Sequence, residues 1–269
     1  DVDISSRYIF QKPYNLMRGM VSDIFKYGDL MSALRAPWMR LRSHSKLPKK
    51  DPLNTFEWIM DQSDKFNLTS SFYFIAGKTH SASDADYKID HTVIRSLMKY
   101  IYDRGHEIGL HPSYNTYQMP NAIVAEAQKL KTICIEEGIE QKKWGGRMHY
   151  LRWDHPVTLY GWEKANMDYD STLGYADHSG FRCGTCFEYP AYDPVKDKQL
   201  NLRIRPLIAM DVTITTKKYM DLGFGRDAND KLTQLKNACK VVNGTFTLLW
   251  HNNQLITKKS RDLYSSLLE

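Results

Sequence analysis

The sequence has little of three things that would fix its class at once: long apolar runs, cysteine and dense charge of one sign. No stretch approaches the roughly 20 apolar residues that a membrane-crossing helix needs, so no transmembrane segment is expected. No charged-then-apolar leader opens the chain either, and the expectation is a soluble, cytoplasmic protein, or one whose leader has been removed. Four cysteines in 269 residues, Cys134, Cys183, Cys186 and Cys239, are too few and too irregular for a disulfide framework, which points to a reducing compartment. Cys183 and Cys186 have C-x-x-C spacing, but with no second pair and no thioredoxin-like context the motif reads as structural or incidental. The net charge of +6 reads as spread along the chain, with short clusters such as Lys49-Lys50 and Lys217-Lys218. The lack of a long basic tract argues against a nucleic-acid binder and leaves mild attraction to anionic surfaces or acidic glycans.

What is present suits one large core. A chain of 269 residues, 42% hydrophobic, is expected to form a single domain spanning 1–269. It opens on Asp1-Val2-Asp3 without the strand that should precede such a pair, so upstream residues are expected to be missing. From Ser5 to about Lys50 the chain is rich in aromatic, Met and basic residues and reads as short helices and loops, an insertion at about 5–50 that extends one face. Regular alternation follows. Helical stripes are expected over 54–65, 91–104, 121–137, 157–166 and 227–241, and strands over 70–75, 105–111, 145–153, 204–214 and 245–250. Strands alternating with such helices predict an α/β fold with a parallel sheet, whose chemistry gathers at the carboxyl ends of the strands.

Four expected strand ends carry polar groups: Asp1 with Asp3, His111 with Ser113 and Asn115, Arg147 with His149, and His251. Each is weak alone. An Asp pair at i, i+2 points both carboxylates to one face, which suits one metal ligand and one base, although an isolated pair also serves to cap a turn. Arg147 and His149 have the same spacing. His106 lies five residues before His111, where alternation sends the two to opposite faces, and it reads as a structural histidine.

Gly105-His106-Glu107-Ile108-Gly109-Leu110-His111 resembles the second motif of the polysaccharide deacetylase family, the NodB-homology group of carbohydrate-esterase type. Asp1-Val2-Asp3 resembles its opening Asp motif, Leu249-Trp250-His251 its closing L-x-H motif, and Gly146 to Arg152 occupies the place of its third motif without the expected prolines. Asn115 stands where the family has its second metal histidine. Asp168 to Gly174 and Gly180 to Thr185 resemble a branch associated with O-antigen and surface-polysaccharide biosynthesis.

The resemblance implies a distorted (β/α) barrel and metal-dependent removal of an N-acetyl group from a glycan or sugar precursor. It implies Asp1 as general base, His251 as acid toward the leaving amine, and Arg147 orienting Asp1. A divalent metal, zinc first, would be held by Asp3 and His111. For the remaining ligand His149 is the preferred substitute, with the Asn115 carbonyl oxygen or a water as alternatives and a substrate-tethering role explaining His149 equally well. Asn115, Tyr150 and Trp250 are candidate substrate contacts, the aromatic rings by stacking on sugar. The rival reading is a carbohydrate-binding descendant that lost its metal, favoured by Asn115.

Overall fold

The computed structural model describes residues 1–27, 30–42 and 45–269, except for the side chains of residues 22, 23, 26, 27, 30, 32, 33, 35 and 42. The first two elements are helices, α1 (Pro13–Tyr27) and α2 (Leu30–Arg42), longer than the short pieces expected there. Apolar stripes then set the crossover helices. α3 (Phe56–Lys65) buries Phe56, Ile59 and Met60, and precedes β1 (Ser71–Phe74). α4 (Thr92–Asp103) buries Val93, Ile94, Leu97, Met98 and Ile101, and His91 caps it by accepting from the Val93 amide at 3.2 Å. β2 (Glu107–Leu110), α5 (Pro120–Glu136), β3 (Gly145–Gly146), α6 (Val157–Lys164) and β4 (Tyr169–Asp170) continue the alternation.

A hairpin of β5 (Tyr189–Asp193) and β6 (Lys198–Ile204) follows, where no strand pair was expected. Its signal was present, since Leu200, Leu202 and Ile204 are buried while Gln199, Asn201 and Arg203 are exposed, with period 2. The strand expected over 204–214 is instead the end of β6, then β7 (Ala209–Met210) and α7 (Asp211–Thr215). α8 (Arg226–Val241), β8 (Leu248–Leu249) and α9 (Lys258–Leu268) complete the chain, α9 opening with a capping box between Thr257 and Ser260.

The larger sheet has the order β1-β2-β3-β4-β6-β5, parallel throughout except for β5 against β6. β7 and β8 form a separate parallel pair, and Val2 makes an isolated parallel bridge to Phe74. The expected barrel is not seen as a closed ladder among the described residues, because strands of two residues carry too few pairings to run on into their neighbours. Single backbone bonds span the gaps: Leu207 donates to Leu173 at 3.2 Å, and the Asp1 nitrogen donates to the Trp250 carbonyl at 3.1 Å. The main core runs from Val2 to Leu267.

Candidate metal and catalytic site

Five segments deliver the site, each at the carboxyl end of a strand or beside one. Val2 is buried and donates to Tyr73 at 3.0 Å, so Asp1 and Asp3, on either side of it, share the opposite face. His111 follows β2 and donates to the Phe74 carbonyl at 2.9 Å; Arg147 follows β3 and donates to Leu110 at 3.0 Å. β3 is pressed tightly between its neighbours. A Cβ on Gly145 would lie 2.0 Å from the Tyr169 ring, and one on Gly146 2.0 Å from the Leu110 carbonyl oxygen. The strand expected to reach Trp153 stops after Gly146. The Thr172 hydroxyl takes the Met148 amide at 2.9 Å, and the chain enters a 3₁₀ turn, His149–Leu151, with Tyr150 and Leu151 at positive φ of 58° and 52°. His149 therefore sits in a turn rather than on a strand face with Arg147. β7 and β8 lead directly into Asp211 and into Trp250-His251.

Three side chains converge. The Nε2 atoms of His111 and His149 stand 3.3 and 3.7 Å from one oxygen of Asp3, and the ligand atoms of all three lie within 4.8 Å of one another. The other nitrogen of each ring is engaged: His111 Nδ1 meets the Arg147 carbonyl at 2.5 Å, and His149 Nδ1 faces Asp84 at 3.4 Å. Donation from Nδ1 leaves a lone pair on each Nε2, and burial lowers the pKa of both rings, which keeps them neutral. The Asp3 oxygen they face is buried and has no hydrogen-bond partner among the described residues. Burial works against its ionisation, but contact with His111 and the charge of His251 hold its carboxyl well below the usual range. An ionised oxygen and two lone pairs aimed at one point repel unless a cation lies among them. The donor set thus fits a divalent metal ion.

Two further groups flank that point. The Asp1 side chain is buried and takes a 2.8 Å bond from Arg147, whose other donors reach the Ser171 carbonyl at 2.8 Å and hydroxyl at 3.0 Å. Opposite, His251 Nε2 is 3.6 Å from the second Asp3 oxygen, while its Nδ1 and backbone nitrogen both donate to Asp211 at 2.7 Å. Burial alone would depress His251, yet the Asp211 carboxylate, with Asp3 behind it, pushes its pKa up. A pocket of ≈ 220 Å³ opens over these residues, lined also by Tyr150, Met210, Val212 and Tyr219.

No family model and no curated protein matches the chain. Among solved structures it resembles a crystal structure of a "putative polysaccharide deacetylase" from Mycobacterium smegmatis, at 13% identity and a TM-score of 0.55, over 99% of this chain and 82% of that one. It also resembles Puue allantoinase, at 14% identity and a TM-score of 0.51, over 79% of this chain and 64% of that one. The chain has a deacetylase-like fold.

Within that fold, the residues expected at the site separate into two groups. Asp1, Asp3, His111, Arg147, His149 and His251 come together, and Tyr150 lines the pocket with its ring 4.7 Å from that of His149. Asn115 and Trp250 are not among the residues lining it. Asn115 opens a 3₁₀ turn and is occupied elsewhere, its amide donating to the Thr79 carbonyl at 3.0 Å and accepting from Arg152 at 3.2 Å. Trp250 lies between Leu249 and His251, which face the pocket, so alternation turns its ring into the core against Tyr264. His106 accepts from the Ser70 amide at 3.2 Å, away from the site.

Sequence reasoning missed Asp84 and Asp211, because neither belongs to a motif and their partners lie 65 and 40 residues away. Asp84 also accepts from the amides of Thr79, His80 and Tyr114, each at 2.7 Å, and these bonds with His149 outweigh burial to hold it at about 2. Asp170 and Thr172 form the clamp behind Arg147: Thr172 donates to Asp170 from its amide and its hydroxyl, so the Asp168 to Gly174 motif shapes the strand ends.

Proposed function

We propose that this chain is a divalent-metal-dependent hydrolase that removes the acetyl group from an N-acetylated sugar of a surface polysaccharide or its precursor, as one domain spanning 1–269 with an insertion at about 5–50. The observation that carries the reading is the buried Asp3 oxygen, without a hydrogen bond to any described residue, facing two imidazole nitrogens. Asp3, His111 and His149 would hold the ion, and zinc is the first to test because it suits a mixed His/Asp set. A bound divalent ion supplies Lewis acidity to water and to the amide carbonyl.

The chain's own groups do the rest. Asp1, oriented by Arg147, takes the proton of the water that attacks the acetamido carbon. His251, protonated and aimed by Asp211, gives its proton to the departing nitrogen, so acetate and a free amine result. Tyr150, exposed at the rim, is placed to meet a sugar ring. The surface-polysaccharide setting rests on the resemblance of Asp168 to Gly174 and Gly180 to Thr185, and the polysaccharide deacetylase likeness supports a barrel ancestry. The inactive binding descendant was supported by Asn115 alone, and the convergence of His149 on Asp3 supports the hydrolase.

Acetate release from N-acetylglucosamine oligomers tests the reading. Activity should vanish on chelation, return with added zinc, and fall in His251→Ala. A zinc-loaded protein inactive on every N-acetylated sugar offered would contradict it.

A further inference from the structure

α1 and α2 pack on each other through a small core of Tyr8, Leu16 and Ala36 with Met20 and Met39, separate from the main core. Large apolar side chains are left outside on both helices. On α1, Tyr14, Met17, Val21, Ile24 and Phe25 are exposed at i, i+3, i+7, i+10 and i+11, a single stripe on which Phe25 is 84% exposed. On α2, Met31, Leu34, Trp38 and Leu41 repeat the spacing, with Leu41 70% exposed. Exposed apolar stripes on adjacent helices mark an interaction surface.

Charge selects the occupant. The chain has no contiguous basic tract, but residues 12–50 hold nine Lys and Arg against two Asp, a formal +7, which leaves −1 for the other 230 residues of a +6 chain. The positive charge first read as spread along the sequence therefore belongs to this insertion. Lys12 and Arg18, before and on α1, and Lys46, Lys49 and Lys50, beyond α2, are exposed. A second copy would set +7 against +7, whereas anionic headgroups complement it and the acyl boundary accepts the apolar faces, with Trp38 and Tyr14 suited to the interface. We propose that the α1–α2 hairpin docks the protein onto an anionic phospholipid surface, lying in the interface without crossing it. The hairpin is rooted by Asp51, which accepts from the Ser6 hydroxyl at 2.5 Å and the Arg7 amide at 3.0 Å, and the proposal is independent of the reaction catalysed.

Co-sedimentation of the full chain with phosphatidylcholine vesicles, with and without phosphatidylglycerol, tests it. Binding should require the anionic lipid and weaken as salt rises. Phe25→Ser with Leu41→Ser should lower partitioning about tenfold or more. Lys46→Glu, Lys49→Glu and Lys50→Glu together, outside both helices, should lower it by about a hundredfold. Unchanged melting temperature would separate either loss from misfolding. Equal binding to both vesicle types, no binding, or variants that bind as the parent does would overturn the proposal. So would a dimer that Phe25→Ser dissolves in a protein that ignores vesicles.

Discussion

At the strand ends, Asp1, His111 and His149 bring ionisable atoms out of solvent, and each is fixed by a partner far away in sequence: the Arg147 side chain for Asp1, the Arg147 carbonyl for His111 and Asp84 for His149. In the α1–α2 hairpin the pattern inverts, with large apolar side chains exposed around a small core of its own. The difference teaches which residues tolerate change. A group whose position is set by several distant segments cannot be altered without disturbing them, while a side chain in solvent holds nothing in place.

Removing a converging donor should have the largest effect. His149→Ala should lose bound metal and lower turnover by about a thousandfold, whereas Asn115→Ala should keep its metal, since that amide serves Thr79 and Arg152. Retention by the first variant and loss by the second, read by elemental analysis, would move the third ligand to the amide.

The supporting carboxylates come next. Asp84→Asn should weaken metal affinity by roughly 10- to 100-fold through the His149 ring it orients. Asp211→Asn should keep metal but lower kcat by about 10- to 100-fold, and it also has a pH signature. Asp211 raises the His251 pKa, and an acid catalyst is lost as pH rises through that value. The alkaline limb of the kcat profile should therefore move to lower pH in the variant. An unmoved limb would remove His251 from the acid role.

Asp170 gives a smaller, purely structural effect. Burial pushes its pKa up to about 7, against bonds from Thr172 and the charge of Arg147. A carboxyl raised on folding holds its proton in the native state, so its contribution to stability is full below about pH 4 and is lost as pH rises towards 7. Asp170→Asn should flatten the fall of melting temperature over that range. The smallest change is Phe25→Ser, which should leave turnover on a soluble substrate unaltered and shift stability by no more than about 0.5 kcal/mol. A larger loss would mean that the hairpin face packs on the body after all.

Much of the site was legible because its residues fall at strand ends inside short motifs: Asp1 and Asp3 flank buried Val2, and His111, Arg147 and His251 follow strands within two residues. What stayed hidden depends on long-range contact. Asp84 and Asp211 acquire their roles only when the chain folds them against His149 and His251, and Trp250 packs against Tyr264 because alternation turns it inward. The parallel alternation was readable as helix and strand periods, but the lengths of β3 and β7 were not. Close approach at Gly145 and Gly146 and side-chain capture of Met148 end the first, and the Asp211 turn ends the second. The β5–β6 hairpin was readable from its alternation.

Metal stoichiometry of the purified full chain beside Asp3→Ala tests the central claim most directly. About one divalent ion per chain is expected in the parent and almost none in the variant, with both equally folded. A parent that binds no metal from buffers containing zinc, iron, cobalt or nickel, or a variant that keeps the full complement, would contradict it.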